Sequence, residues 1–259
     1  MKYLFILPAL IFLQVPVAKS LAFANTYLQD TITDLSLLQT TAVYKAPSGK
    51  TYKVSFEADA EEDNNTRGIT RGAAANTACD HGNIFDGSYR KAAKLSIAAN
   101  QASGTNLAKL IKRVLALDNG SITVTKTSPR IEIEDSVVTL ISVYLYAIAR
   151  ESDEDYHIII GTSANPSTAS FFNIECSGLP PTNNPGFNKL KTARQKVVAF
   201  LGGIERCTNG YIKFTDHPKV KIIGSLFYDK EHESNIPGPS TSKPKTAWEL
   251  HPITEFKIL

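Results

Sequence analysis

The pattern of hydrophobic and polar residues gives strong strand signals in five stretches of the second half of this chain. They are residues 137–149, 156–161, 170–176, 220–228 and 248–258, and a stretch of helical period, 188–201, lies between the third and the fourth. Strand, strand, strand, helix, strand, strand is the order of an OB barrel. The first stretch is long, as it must be if a first strand curls to pair in both halves of such a barrel. Pro180-Pro181 and the Pro-, Ser- and Gly-rich residues 236–245 fall in the connections. The predicted class is α+β: a C-terminal five-stranded OB-like β-barrel with one helix, preceded by a smaller α+β region.

The pattern in the first half is weaker. Leu28, Ile32, Leu35 and Leu38 recur at helical spacing and predict a short helix over 25–40. A hairpin follows, with arms at 43–46 and 51–57 flanking Pro47-Ser48-Gly49-Lys50; Tyr52, Val54 and Phe56 alternate with polar residues. Residues 59–87 carry no sustained period and read as a long loop. Two helices are expected at 89–99 and 106–117, and a strand at 122–125. A soft boundary near Pro129 divides the chain into a leader (1–24), an α+β region without an assigned role (25–130) and the barrel (131–259).

Composition refines this picture in a few places. Lys2, a short apolar stretch broken by Pro8 and Pro16, and Ala22-Phe23-Ala24 read as a secretory signal peptide cleaved after Ala24, so a secreted or periplasmic location is expected. That apolar stretch is too short and interrupted for a membrane span, and no other candidate span is evident. The formal net charge of +3 does not support a nucleic-acid partner. The basic strings at 189–196 and 109–113 have helical spacing and read as solvated helix faces. A monomer is expected. Of the three cysteines, Cys176 and Cys207 are the favoured disulfide in an exported chain; Cys79, beside Asp80-His81, is left reduced, since two ligands without a second pair are weak grounds for zinc.

Two of the strand-like stretches set an acid and a histidine two residues apart: Asp155 with His157, and Glu249 with His251. Residues two apart on a strand share a face. Tyr156, Ile158 and Ile160, then Phe172, Ile174 and Cys176, then Trp248 and Leu250 form apolar faces. Asp155, His157, Asn173, Glu175, Glu249 and His251 lie on the opposite ones. In OB topology the second and third strands are neighbours and the last returns toward the third, so this polar set is expected to converge. His157, Glu175 and His251 should lie together, with Glu249 or Asp155 orienting an imidazole. Asp229 and His232, just after the fourth strand, join the set or cap the barrel end. The plainer alternative is a network of satisfied hydrogen bonds, because buried polar groups need partners. Phe227, Tyr228 and Trp248 read as packing rather than as a base-stacking platform.

At Glu151-Ser152-Asp153-Glu154-Asp155-Tyr156-His157-Ile158-Ile159-Ile160, Gly224-Ser225-Leu226-Phe227-Tyr228-Asp229-Lys230-Glu231-His232 and Trp248-Glu249-Leu250-His251-Pro252-Ile253 the chain resembles a widespread group of uncharacterised, mostly exported bacterial OB-like proteins. The resemblance covers residues 131–259. It implies the barrel more than a reaction, since fold does not fix function.

Three functions are compatible with these residues. A secreted binding module for an oligosaccharide, peptide or nucleic acid asks least of them, with Asp155, His157, Asp229, His232, Glu249 and His251 as ligand-binding groups. A metal-dependent hydrolase resembling secreted OB-barrel nucleases would use His157, Glu175, Glu249 and His251 to hold a cation or to act as general acid and base. The spaced Asp, Arg and Glu set with which those nucleases hold calcium and clamp phosphate is missing. A structural envelope protein would leave all these residues as packing. The sequence names no cofactor; a divalent metal is the one this set could hold. No Ser-His-Asp elbow, Walker loop or dinucleotide fingerprint is present.

Overall fold

The computed structural model describes residues 42–57, 83–101, 104–117, 122–202 and 210–259. In chain order these form β1 (Ala42–Lys45), β2 (Thr51–Glu57), the one-turn helix α1 (Lys91–Lys94), β3 (Asn100–Gln101), α2 (Leu107–Leu117), a 3-10 turn (Glu132–Glu134), β4 (Ser136–Arg150), β5 (Tyr156–Gly161), β6 (Phe171–Cys176), α3 (Phe187–Leu201), β7 (Tyr211–Phe214), β8 (Lys219–Tyr228) and β9 (Trp248–Ile258).

Five strands close into an OB-like barrel in the order β4-β5-β6-β9-β8 and back to β4. All contacts around the ring are antiparallel except β6 with β9. β4 spans two neighbours by curling: its first half pairs with β8 and its second with β5, with register shifts between Leu140 and Val143 and between Leu145 and Ala147. Such irregularities add the local twist that closure needs. β7 pairs with Ala147 and Ile148 of β4 and continues the sheet outward through β2 to β1, while β3 runs parallel to the start of β4.

Strand alternation sorts the residues into two faces. Val138, Leu140, Leu145, Ile158, Ile160, Phe172, Ile174, Ile222, Leu226, Trp248 and Leu250 fill the interior. α3 packs Leu190, Ala193, Val197, Phe200 and Leu201 inward, at the helical spacing of one apolar stripe. Its lysines at 189, 191 and 196 are exposed, as are Lys109, Lys112 and Arg113 of α2. Arg194 departs from that face: it is buried, with its guanidinium 4.6 Å over the Tyr156 ring and donating to the Glu154 carbonyl at 2.6 Å.

Several expectations need correction. The helix expected over 89–99 is a single turn, because Arg90 adopts a left-handed conformation at its start (φ 47°) and the chain then leaves helical geometry. The Ala98 N–H instead donates to Ser225 Oγ at 2.9 Å, so this segment gives its hydrogen-bonding capacity to the barrel wall. Residues 122–125 form no strand, and β7 stands where no strand was expected. The Cys176–Cys207 disulfide is not formed: Cys176 is a free thiol, 1% exposed. Alternation points its sulfur into the barrel core with Phe172 and Ile174. Cys79, Cys207 and the expected helix over 25–40 lie outside the described residues, as does most of the expected loop over 59–87. Among the described residues no helix is long and apolar enough to cross a membrane.

Candidate functional site

The barrel's outer face over β5, β6 and β9 carries two polar rungs set by strand register. His157 stands opposite Glu175, and in the parallel β6–β9 pair Asn173 stands opposite Glu249. Two residues further along, Glu175 and His251 therefore share a rung. The connection between β4 and β5 adds Glu151 and Asp155, and the chain leaving β8 adds Asp229 and His232.

Glu175 is the hub. Its Oε1 receives His157 Nε2 at 2.8 Å and Asn173 Nδ2 at 3.0 Å. Its Oε2 lies 2.5 Å from His251 Nδ1 but without the alignment of a hydrogen bond. His251 Nδ1 pairs with Glu249 Oε1 at 3.2 Å; Nε2 meets Ser177 Oγ at 2.9 Å and lies 3.5 Å from Asp155 Oδ2. Asn173 Nδ2 also bridges to Glu249 Oε2 at 2.8 Å. Asp155 Oδ1 accepts the Gly178 N–H at 2.6 Å. Lys94, on α1, covers the cluster with its ammonium 3.4 Å from Asp229 Oδ2 and 4.0 Å from Glu175 Oε2.

The predicted residues thus converge. His157, Glu175 and His251 lie on one face, Glu249 and Asp155 both flank the His251 ring, and Asp229 joins through Lys94 and through His232 Nδ1 at 3.0 Å. The His157 and His232 rings meet edge to face at 5.8 Å. Tyr228 and Trp248 are core residues, whereas Phe227 packs on the outer face, its ring 5.5 Å from that of His251. The Arg90 guanidinium stacks 4.6 Å over Phe227 and is held bidentately by Glu134 at 2.7 Å. Arg130 donates to the carbonyls of Leu226 and His251. Lys94 and Ser177 were not singled out from the sequence. Lys94 carries no signal in an Ala- and Lys-rich stretch that reads as an ordinary helix, and Ser177 sits one residue beyond the strand period.

Burial opposes every charge in this cluster, and neighbours decide which charges survive. Burial disfavours the Glu175 carboxylate, yet His157, His251 and Lys94 outweigh it and hold the group well below the usual range. The same contest at Asp229 is won by Lys94 and His232, which lower it. Burial pushes Glu249 well above its ordinary value, helped by Glu175 and Asp229. It does the same to Asp155, helped by Asp153 and Glu175. Burial works against the His157 cation, but Glu175 and Glu151 raise it well above normal; at His251 burial prevails over Glu175 and lowers it. Burial also opposes the Lys94 cation, and Asp229 and Glu175 overcome that, raising it well above normal. The ionised carboxylates of Glu175 and Asp229 are thereby matched by Lys94 and His157.

Chemically, the arrangement can bind a cation or pass protons between carboxyls and imidazoles. Asp155, Glu175 and His251 place one donor atom each within 4.8 Å of one another, and so do Glu175, Asp229 and Glu249. No protein family, curated protein or solved structure matches this chain.

Proposed function

We propose that this chain is an exported OB-like binding module that takes its ligand over the outer face of β5, β6 and β9, where the β4–β5 and β8–β9 connections meet. One observation carries the reading: ionisable groups from two connections and three strands gather on the face that OB barrels commonly present to ligands. A barrel does not need them for closure, since each buried polar group lowers stability unless it is paired. The leader-like residues 1–24 and the resemblance of residues 131–259 to exported OB-like proteins support export.

The rim of the cluster is its accessible part, with the side chain of His232 27% exposed, Glu151 15% and His157 6%. Imidazoles and a carboxylate suit hydroxyl, amide or ammonium groups. The formal net charge of +3, without clustered excess base, favours an oligosaccharide or peptide over nucleic acid. Glycan and peptide arrays should yield a binder in one class, and calorimetry should then show His232→Ala and Glu151→Gln, each still folding cooperatively, weakening it about tenfold, the worth of one hydrogen bond to a charged group. Undiminished affinity in both variants, or silence on both arrays, would sink the reading.

A metal-dependent hydrolase is the second reading, favoured by the two overlapping donor groups that share Glu175. It predicts metal-stimulated cleavage of nitrophenyl phosphodiesters or esters that is lost in Glu175→Gln. Equal turnover by the variant would exclude it.

A further inference from the structure

We propose that Asp155, Glu175 and His251 form a site for one divalent transition-metal cation, resident in the face described above. The inference rests on that face being the functional one, and it assigns the face a cofactor class.

Three observations carry it. First, the donors are gathered: one atom from each residue lies within 4.8 Å of the others, and all three side chains are buried. Second, the oxygens aimed into this space are orphans. Among the described residues, Asp155 Oδ2 and Glu175 Oε2 are buried without a hydrogen-bond partner. Buried acceptors are seldom left unpaired, and two facing one imidazole call for a cation or ordered water. Two carboxylates with an imidazole are a transition-metal ligand set, which favours the cation. Third, the neighbouring donor group provides an internal comparison. Glu175, Asp229 and Glu249 have a cation of their own in Lys94, 3.4 Å from Asp229 and 4.0 Å from Glu175. Asp155 Oδ2 has no such neighbour; its nearest basic atom is the His251 ring nitrogen at 3.5 Å.

The remaining contacts prepare the donors. Glu175 Oε1 is occupied by His157 and Asn173, which leaves Oε2 for a metal. Gly178 holds Asp155 through Oδ1, which leaves Oδ2. Glu249 takes His251 Nδ1, so Nε2 is the ring nitrogen that faces Asp155, and a metal there replaces its 2.9 Å contact with the rotatable Ser177 hydroxyl; Glu249 is a positioning residue here, in the way carboxylates commonly orient metal-bound imidazoles. One imidazole with two carboxylates suits Zn2+ or Mn2+, whereas Ca2+ and Mg2+ favour all-oxygen sets.

The test is calorimetry and thermal denaturation of the chelator-stripped protein with ZnCl2 and MnCl2 alone. The expected result is one equivalent bound by at least one ion, with Tm raised by roughly 5–10 °C at a hundredfold excess over Kd. Asp155→Asn keeps the Gly178 hydrogen bond and removes only the free oxygen, so it should fold normally and bind at least about 100-fold more weakly. Glu175→Gln should do the same, and if it fails to fold Asp155→Asn decides alone. Glu57→Gln, on β2 outside the cluster, should bind like the parent. No heat and no Tm change with either ion would overturn the proposal, as would parental affinity in Asp155→Asn. Ligand binding at the His232 rim is measured separately, so losing the metal site does not by itself remove the binding-module reading.

Discussion

Replacing Lys94 with methionine removes the one ammonium in a buried acidic cluster while keeping most of its packing volume. Its nitrogen lies 3.4 Å from Asp229 and 4.0 Å from Glu175, and the side chain is 4% exposed. At an effective dielectric of about 20 these contacts are worth roughly 5 and 4 kcal/mol in gross Coulomb energy. Part is offset because the variant no longer desolvates an ammonium, and the expected net loss is about 3–5 kcal/mol, the usual result of breaking a buried pair from one side. The pH dependence follows from Asp229, whose folded pKa is depressed below its unfolded value. In the parent its contribution is present above the unfolded pKa, near about 4, and is lost as pH falls through the folded pKa. Without Lys94 that depression is reduced, so the variant's deficit holds from pH 7 down to about pH 4 and shrinks only as pH falls below that, between the variant's and the parent's folded pKa. Lys94 itself stays charged over this range and adds no slope, its folded pKa being raised. Urea unfolding of both proteins in chelator, at pH 7 and about pH 2.5 with matched m-values, measures this directly. A loss under about 1 kcal/mol at pH 7, or the same loss at both pH values, would refute the reasoning.

Three further outcomes are expected. Burial pushes the Cys176 thiol up to about 12, so it should resist iodoacetamide at pH 8 in the folded chain and react once urea exposes it; peptide mapping that finds native labelling at Cys176 would contradict this placement. In Gly178→Ala the new Cβ would meet Phe85 Cα at 2.6 Å and Phe85 N at 2.8 Å, backbone atoms that cannot swing aside, so a loss of about 1–3 kcal/mol is expected by urea unfolding. Glu134→Gln leaves the buried Arg90 guanidinium without its carboxylate and should cost about 3–5 kcal/mol by the same assay, and near-parental stability would show that the pair is not the anchor of this wall.

The barrel strands were legible because each sends one apolar face to the core: the strand signals at residues 156–161 and 248–258 match β5 and β9 to the residue. Strand alternation placed Asp155, His157, Glu175, Glu249 and His251 on the outer face before any pairing was known. What escaped is non-local. Lys94 reads as one more helix lysine, and only the fold shows it lying over Glu175 and Asp229. β7 has four residues, too few for alternation to stand out. Export favours a Cys176–Cys207 disulfide but says nothing of direction; the strand face that holds Phe172 and Ile174 carries the Cys176 sulfur into the core as well.

The convergence of Asp155, Glu175 and His251 into a working site is tested most directly by anomalous scattering from crystals of the protein soaked in ZnCl2 or MnCl2. A single strong peak within bonding distance of Asp155 Oδ2, Glu175 Oε2 and a His251 ring nitrogen is the predicted result. Well-diffracting soaked crystals with no peak between these three side chains, or with peaks only at other residues, would contradict it.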